Sequence, residues 1–257
     1  MTRQETLEQF DRLLTIMDEL REKCPWDREQ TMESIRHLSI EEVYELSDSI
    51  ISKDNPEIKK ELGDLLLHIV FYSKIASETA LFDMGAVMDS LCEKLIRRHP
   101  HIYGEVNAHD SETVKQNWEQ IKLAEKGELR KSVLQGLPKS MPALVKAYRM
   151  QEKVASVGFD WDTAAEAFDK VKEELAEFEN AASAAEKQQE FGDLLFALVN
   201  YARKSGINPD DALEYTNRKF KTRFEYIEDR ARDTGKELKK MTLEEMDAFW
   251  DEAKAKE

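Results

Sequence analysis

Apolar positions recur at helical spacing in two separated stretches of the chain. An i, i+3, i+4, i+7 pattern places four apolar side chains on one face of a helix. The pattern occurs at Leu62, Leu65, Leu66 and Ile69, and again at Phe191, Leu194, Leu195 and Leu198. Shorter runs precede each stretch, at Val43, Leu46 and Ile50 and at Leu175, Phe178 and Ala182. No alternating run of β-branched residues predicts a sheet. We therefore expect an all-α protein in which these apolar stripes are buried.

Carboxylates border each of the predicted stripes. The first set is Glu42, Glu45, Glu61 and Asp64, and the second is Glu174, Glu177, Glu190 and Asp193. Acids three residues apart share a helical face, so each set can bring four carboxylates together between two helices. Such a cluster repels itself unless a cation neutralises it, and oxygen ligands suit magnesium, manganese or calcium better than zinc. The sequence therefore predicts two metal sites.

The acids belong to a longer repeat in which five blocks recur in the same order. Besides the two acid motifs, Trp26-Asp27 corresponds to Trp161-Asp162, Lys94 and Arg98 to Lys219 and Arg223, and Trp118, Glu119 and Lys122 to Trp250, Asp251 and Lys254. An ordered repeat predicts a duplicated domain. We expect tandem helical-bundle domains at 1–135 and 136–257, because Gly136, Pro138 and Pro142 interrupt the helical pattern within segment 127–142.

The two copies differ at positions beside the acids. Asn200 stands where the first copy has Phe71, and Lys170 stands where it has Leu38. Both differences make the second pocket more polar beside the predicted metal site. The second copy is therefore predicted to be the catalytic one, with the first binding metal, keeping weak activity or supporting a dimer.

Composition narrows the classes of function. Charged residues make up 35% of the chain, and there are only 9 Gly and 6 Pro, which favours helices. The net charge of −15 argues against binding a nucleic-acid polymer, which requires a basic surface. The best apolar run, 65–72, is too short for a membrane span and contains His68. Cys24 and Cys92 lack metal or redox spacing, and the polar start of the chain is unlike a signal peptide, so we expect a cytoplasmic protein.

Taken together, the paired acid motifs, the segment Lys94-Leu95-Ile96-Arg97-Arg98-His99-Pro100-His101 and the segment Gly158-Phe159-Asp160-Trp161 resemble the MazG family of all-α nucleoside triphosphate pyrophosphohydrolases. The resemblance covers nearly the whole chain. It implies hydrolysis of a nucleoside triphosphate to the monophosphate and pyrophosphate, dependence on Mg²⁺ with Mn²⁺ as a substitute, and a homodimer. It also implies cytoplasmic work in clearing or adjusting nucleotide pools.

Roles for individual side chains follow from this chemistry. We expect the second acid set to hold the metal and one of its carboxylates to orient the attacking water. Arg binds phosphate through two donors and Lys as a point charge, so Lys219 and Arg223 are predicted to bind the phosphates. Trp250 is predicted to stack on the base, and Lys170 and Asn200 to complete the substrate pocket at positions that face the phosphates.

Other interpretations remain open. The acids could instead form a solvated helix face, or the chain could be a non-catalytic helical protein that binds a metal or a partner. A di-iron bundle would use Glu-x-x-His pairs, which the sequence lacks. His68 follows Asp64 by one turn, but its counterpart is Ala197, so we do not predict it as a ligand. We also expect no Ser, Thr or Cys nucleophile beside a histidine base.

Overall fold

The computed structural model of the protein describes residues 1–104, 106, 110, 113–114, 117–118, 121 and 132–256. Every regular element among them is helical, which confirms the predicted all-α class. The chain forms two compact units, Met1–His109 and Asp110–Glu257. The predicted division at 135/136 stays a prediction, and Glu119, Lys122 and Gly127 lie outside the described residues.

The first unit contains the helices α1 to α6. Their bounds are Arg3–Lys23 (α1), Pro25–Glu29 (α2), Met32–Ser52 (α3), Asn55–Glu78 (α4), Met84–Arg98 (α5) and Pro100–Tyr103 (α6). The acid-bearing helices α3 and α4 pack against each other, and α1 packs on α4. The buried core consists of Met17, Ile35, Val70 and Phe71.

The second unit contains the helices α7 to α11. Their bounds are Ala143–Ala155 (α7), Ala164–Asn180 (α8), Ala184–Lys204 (α9), Pro209–Asp233 (α10) and Leu243–Lys254 (α11), with a 3₁₀ turn at Leu238–Lys240. The acid-bearing pair is α8 and α9, α7 packs on α9, and α10 pairs with α11. Val171, Leu194 and Ala197 form the buried cluster between α8 and α9.

Local capping explains where many of these helices begin. A capping box pairs a Thr or Ser at the N-cap with a side chain three residues later, which satisfies two exposed backbone N–H groups. Capping boxes start α1, α3, α8, α9 and α11, at Thr2, Thr31, Thr163, Ser183 and Thr242. These caps fix the starts of α3, α8 and α9, three of the four helices that carry the acids.

The predicted burial of the apolar stripes is wrong for most of their members. Leu62 and Ile69 are 53% and 46% exposed, and Phe191 and Leu195 are 48% and 45% exposed. Val43, Ile50, Leu66, Leu175 and Leu198 are exposed as well. The acid-bearing helices carry apolar residues on a second side besides the predicted stripe. In the first unit this second side includes Phe71 and packs on α1. Among the described residues, most of each stripe is therefore exposed, and Leu194 is the buried exception.

Candidate functional site

The acids of the second unit converge between α8 and α9. One carboxylate oxygen each from Glu174, Glu177 and Glu190 lies within 4.8 Å of the others. Glu174 is buried, Glu190 is half-buried and Glu177 is exposed, so the cluster opens to solvent on one side. Burial, followed by the neighbouring acids, raises the pKa of Glu190. Asp193 is outside this group of three but is one of the charges that raise that pKa.

The first unit builds the same arrangement between α3 and α4. Glu42, Glu45 and Glu61 each contribute an oxygen within 4.8 Å of the others. Burial, followed by the charges of Asp64 and the other two acids, raises the pKa of Glu42. Glu61 is 2% exposed, and its Oε2 receives no hydrogen bond from the residues that the structure describes. A buried carboxylate oxygen without a donor needs a cation or a proton, so the donor set fits a hard metal ion.

A lysine pairs with one acid of each cluster. Lys170 Nζ lies 2.7 Å from both Glu173 Oε1 and Glu174 Oε1, and these two bonds raise the pKa of Lys170. In the first unit Lys60 Nζ lies 2.8 Å from Glu61 Oε1. Lys60 was not predicted as part of the site, although its position next to Glu61 was the available signal. Lys170 is thus bonded to the acids, and its predicted contact with phosphate stays a prediction.

The residues predicted to bind the phosphates, Lys219 and Arg223, lie on α10, and Trp250, predicted to stack on the base, lies on α11. The Arg223 guanidinium lies 5.2 Å from the centre of the Trp250 ring. The centre of the Phe220 ring lies 5.3 Å from the same Trp250 centre. Lys219 is exposed one turn earlier on α10. These contacts pair Arg223 with Trp250 and join α10 to α11. The approach of Lys219, Arg223 and Trp250 to the acids of α8 and α9 stays a prediction.

Asn200 takes part in a different group of residues from the acids. Its Oδ1 accepts a hydrogen bond from Arg203 Nη2 at 2.7 Å, and Arg203 also donates to both carboxylate oxygens of Asp160. Lys204 Nζ adds a 2.6 Å bond to the carbonyl of Trp161. The helix α9 thereby holds the Gly-Phe-Asp-Trp segment that follows α7. Arg203 was not predicted from the sequence, because its partner Asp160 is 43 positions away along the chain.

This group lines a cavity of about 370 Å³ in the second unit. The cavity lies between α7, α9 and the Gly-Phe-Asp-Trp segment. Its lining includes Gln151, Phe159, Trp161, Phe196, Asn200 and Arg203. The Gly-Phe-Asp-Trp motif was the only part of this lining that the sequence pattern singled out besides Asn200.

A serine hydroxyl, Ser39, lies beside His68 in the first unit, while the expectation that no Ser, Thr or Cys nucleophile works with a histidine base stays a prediction. Ser39 Oγ lies 2.9 Å from His68 Nδ1 and 2.7 Å from the Tyr72 hydroxyl. Burial lowers the pKa of His68, whose Nε2 lies 3.9 Å from a Glu42 oxygen. Ser39 also donates to the carbonyl of Ile35, so this is a half-buried hydrogen-bonded network beneath the first acid cluster. The sequence pattern gave no signal for Ser39, which belongs to neither the acid motif nor the apolar stripe.

Family comparisons cover both units. Residues 30–103 match the family profile described as the MazG nucleotide pyrophosphohydrolase domain. Residues 149–220 match the profile described as phosphoribosyl-ATP pyrophosphohydrolase. The two matched stretches contain the two acid clusters. No helix in the described part of the chain is long and apolar enough to cross a membrane.

Curated relatives match this chain along nearly the full length of both proteins. A nucleoside triphosphate pyrophosphohydrolase of Escherichia coli strain K12 is 40% identical over 260 residues, covering 98% of this chain and 99% of the relative. The nucleoside triphosphate pyrophosphohydrolase/pyrophosphatase MazG of Thermotoga maritima is 42% identical over 247 residues, covering 95% of each. A solved structure of a mazG-related protein from Thermotoga maritima aligns at 23% identity with a TM-score of 0.39, over 44% of this chain and 97% of that one. On the two full-length matches, this chain belongs to the MazG family of nucleoside triphosphate pyrophosphohydrolases.

Proposed function

We propose that this protein hydrolyses nucleoside triphosphates to nucleoside monophosphate and pyrophosphate, with Mg²⁺ as its metal and the second unit as the main catalytic site. The observation that carries the proposal is the convergence of Glu174, Glu177 and Glu190 within 4.8 Å. The names of the two full-length relatives supply the reaction type. The cluster supplies the oxygen donors that Mg²⁺ prefers, and Mn²⁺ is the expected substitute.

The metal would be held by Glu174, Glu177 and Glu190, with Asp193 as a fourth ligand. A bound Mg²⁺ neutralises phosphate charge and lowers the pKa of a coordinated water. Lys170 fixes the carboxylate of Glu174 through its 2.7 Å bond. Because α8 and α9 are packed together, the carboxylates are positioned before substrate arrives, and little reorganisation is needed.

The hydrolysis itself needs a base and cations. One carboxylate of the cluster orients the attacking water and accepts its proton. The water oxygen bonds to one of the two phosphorus atoms that share the α–β bridging oxygen, the bond from that phosphorus to the bridging oxygen breaks, and monophosphate and pyrophosphate separate. Lys219 and Arg223 are proposed to stabilise the negative charge on the phosphates. Trp250 is the base-stacking residue predicted from the sequence.

The first unit is proposed to bind metal through Glu42, Glu45, Glu61 and Asp64 with lower activity. The support is its equivalent acid cluster together with the replacement of Asn200 by Phe71. Physiologically, we assign the protein to the cytoplasm, where it would clear or adjust nucleotide pools. This role follows from the proposed reaction.

A homodimer is part of the proposal. Its support is the outer apolar face of each acid-bearing helix pair, where Phe191 and Leu195 are each almost half exposed. Exposed apolar patches of this kind are typical of protein interfaces. Light scattering on the purified protein should give twice the mass of one chain. Phe191→Asp should reduce that mass, whereas Glu179→Gln, at an exposed site on α8, should not; a monomeric wild type would contradict the dimer.

Product analysis tests the reaction. Incubation of the eight common nucleoside triphosphates with enzyme and Mg²⁺ should yield monophosphate and pyrophosphate, and removing the metal with EDTA should stop the release. A nucleoside diphosphate as the main product would place the cleavage between the β and γ phosphates and contradict the proposal. Release of nothing from any nucleotide would favour the non-catalytic binding protein.

A further inference from the structure

The first glutamate of each acid cluster has a different neighbour in the two units. In the second unit Lys170 Nζ lies 2.7 Å from Glu174 Oε1. Glu42 corresponds to Glu174, but Leu38 stands in the place of the lysine. The neighbour of Glu42 is instead His68 on α4, whose Nε2 lies 3.9 Å from Glu42 Oε1. The first unit therefore needs a different explanation for how this carboxylate is oriented.

The imidazole of His68 is itself held in place. The residue is 8% exposed, and its Nδ1 lies 2.9 Å from Ser39 Oγ on α3. Ser39 Oγ lies 2.7 Å from the Tyr72 hydroxyl. Ser39 has one hydroxyl proton, which it can share between Nδ1 and the carbonyl of Ile35 at 3.2 Å. A ring that is buried and hydrogen-bonded at one nitrogen has little freedom to turn its other nitrogen away from Glu42.

The acid beside His68 sets the direction of these hydrogen bonds. An imidazole nitrogen that faces a carboxylate is most stable when it carries a proton, because the positive end of the N–H dipole then points at the negative oxygen. With the proton on Nε2, Nδ1 accepts from the Ser39 hydroxyl, and the Tyr72 hydroxyl donates to Ser39. A chain of donors thus runs from Tyr72 through Ser39 and His68 to Glu42. Its last step is an electrostatic attraction, since 3.9 Å is longer than a hydrogen bond.

The second unit has no residues for this chain. The positions that correspond to Ser39 and His68 carry Val171 and Ala197. Both are members of the buried apolar cluster between α8 and α9. Each unit therefore places a different polar side chain beside the same acid, a lysine in the second unit and a hydrogen-bonded histidine in the first.

We propose that His68 is a positioning residue for the metal site of the first unit and that it orients the Glu42 carboxylate through the chain from Tyr72 and Ser39. The inference rests on the proposed function for the presence of a metal among the first-unit acids. His68 acts through Glu42 and is outside the group of carboxylates whose oxygens lie within 4.8 Å of one another. Loss of a residue that orients a metal ligand typically lowers metal affinity by about 10–100-fold.

The test is calorimetric titration of Mn²⁺ into the full chain after Glu177→Gln and Asp193→Asn have weakened the second site. Two substitutions separate the two ring nitrogens of His68. The Gln amide reaches the position of Nε2, so His68→Gln should keep most of the Mn²⁺ affinity. The Asn amide reaches only the position of Nδ1, so His68→Asn should weaken binding by about tenfold or more. His37→Asn, the same change at an exposed position of α3, is the matched control.

Ser39→Ala provides a second variant, which removes the partner of Nδ1 and leaves the imidazole in place. It should also weaken Mn²⁺ binding, by less than His68→Asn, and melting curves of the metal-free proteins show which variants are folded. Unchanged Mn²⁺ affinity in folded His68→Asn or Ser39→Ala protein would overturn the inference. Equal losses in His68→Asn and His68→Gln would overturn it too, because His68 would then act through its packing or as a ligand.

The starting protein separates this inference from the proposed function. Failure of the first unit to bind Mn²⁺ before any change at His68 would contradict the proposed first metal site and overturn the inference with it. Mn²⁺ binding that is insensitive to His68 would overturn the inference alone. Because binding is measured without turnover, Mn²⁺ binding that depends on His68 supports the inference even if the chain releases no pyrophosphate.

Discussion

Phe71 in the first unit and Asn200 in the second occupy corresponding positions of the repeat, but Phe71 is packed in the core and Asn200 lines a cavity. Between α1 and α4, Phe71 is 4% exposed and packs with Met17 in the core, and the Arg21 guanidinium lies 5.6 Å from its ring centre. Between α7 and α9, Asn200 stands at the corresponding position and lines the cavity of about 370 Å³. The first unit keeps a cavity of about 160 Å³, which Phe71 does not line.

This difference indicates how the two copies divide their work. Both units keep three converging carboxylates, so the capacity to hold a metal is retained in both. Among the described residues, the second unit has a cavity of about 370 Å³ lined by Asn200, which lies two helical turns beyond Asp193 on α9. A large buried aromatic residue in one copy favours packing, and a polar residue in the other leaves room for a ligand. The difference between the units is thus concentrated beside the acid cluster rather than in it.

The largest expected effect comes from the acids of the second unit. Glu177→Gln, or Asp193→Asn, should lower kcat for pyrophosphate release by about 10²-fold or more, because each removes a charged ligand from the metal. Steady-state rates at saturating Mg²⁺ check this. Glu45→Gln is the matched change in the first unit and should cost much less. A greater loss in Glu45→Gln would reverse the assignment of the two units.

A smaller but sharper effect is expected from copying the first unit into the second. Asn200→Phe combined with Lys170→Leu should remove most of the activity, about tenfold or more, since the first fills the cavity and the second releases Glu174 from its 2.7 Å bond. Circular dichroism should show a retained fold, because Phe71 and Leu38 already occupy the equivalent positions. Near-normal turnover in the folded variant would mean that the difference between the units has no catalytic role.

Contacts between residues close in sequence could be predicted, and contacts between residues far apart in sequence could not. Helical periodicity and motif spacing predicted the acid-bearing helices and brought Glu174, Glu177 and Glu190 together, because those relations are local to two adjacent helices. Periodicity shows which residues share a face but not what covers that face, so the exposure of Leu62 and Phe191 was missed. The bond between Arg203 and Asp160 and the position of Gln151 depend on tertiary packing. A single sequence carries no local signal for either.

Ion pairs hold the segment with Trp161 in the second unit and the segment with Trp26 in the first, and their contributions to the free energy of unfolding can be compared. In the second unit Asp160 is held by Arg203 and Lys204. Burial acts to raise the pKa of Asp160, but the bonds and charges of these two cations outweigh it and lower that pKa. Asp160→Asn should reduce the free energy of unfolding at pH 7 by about 1–3 kcal/mol, since it weakens a largely buried ion pair. Thermal and denaturant melting of the variant against wild type measure the loss.

The corresponding anchor of the first unit should matter less. Arg21 donates to Glu78 at 2.8 and 2.6 Å and to the carbonyls of Asp27 and Gln30, which fixes α2. The Glu78 side chain is 37% exposed, so solvent screens the pair, and Glu78→Gln should cost only about 0.5–1 kcal/mol at pH 7.

The pH dependence of that cost identifies its origin. The hydrogen bond from Arg21 lowers the pKa of Glu78 below its ordinary value of 4.5. A carboxylate with a lowered folded-state pKa stabilises the fold above its unfolded-state pKa, and this stabilisation disappears as pH falls through the folded-state value. The difference in melting temperature between wild type and Glu78→Gln should therefore be present at pH 7 and shrink below pH 4.5. A difference that stays constant across that range would mean that the variant acts through packing and that the charge of Glu78 contributes nothing.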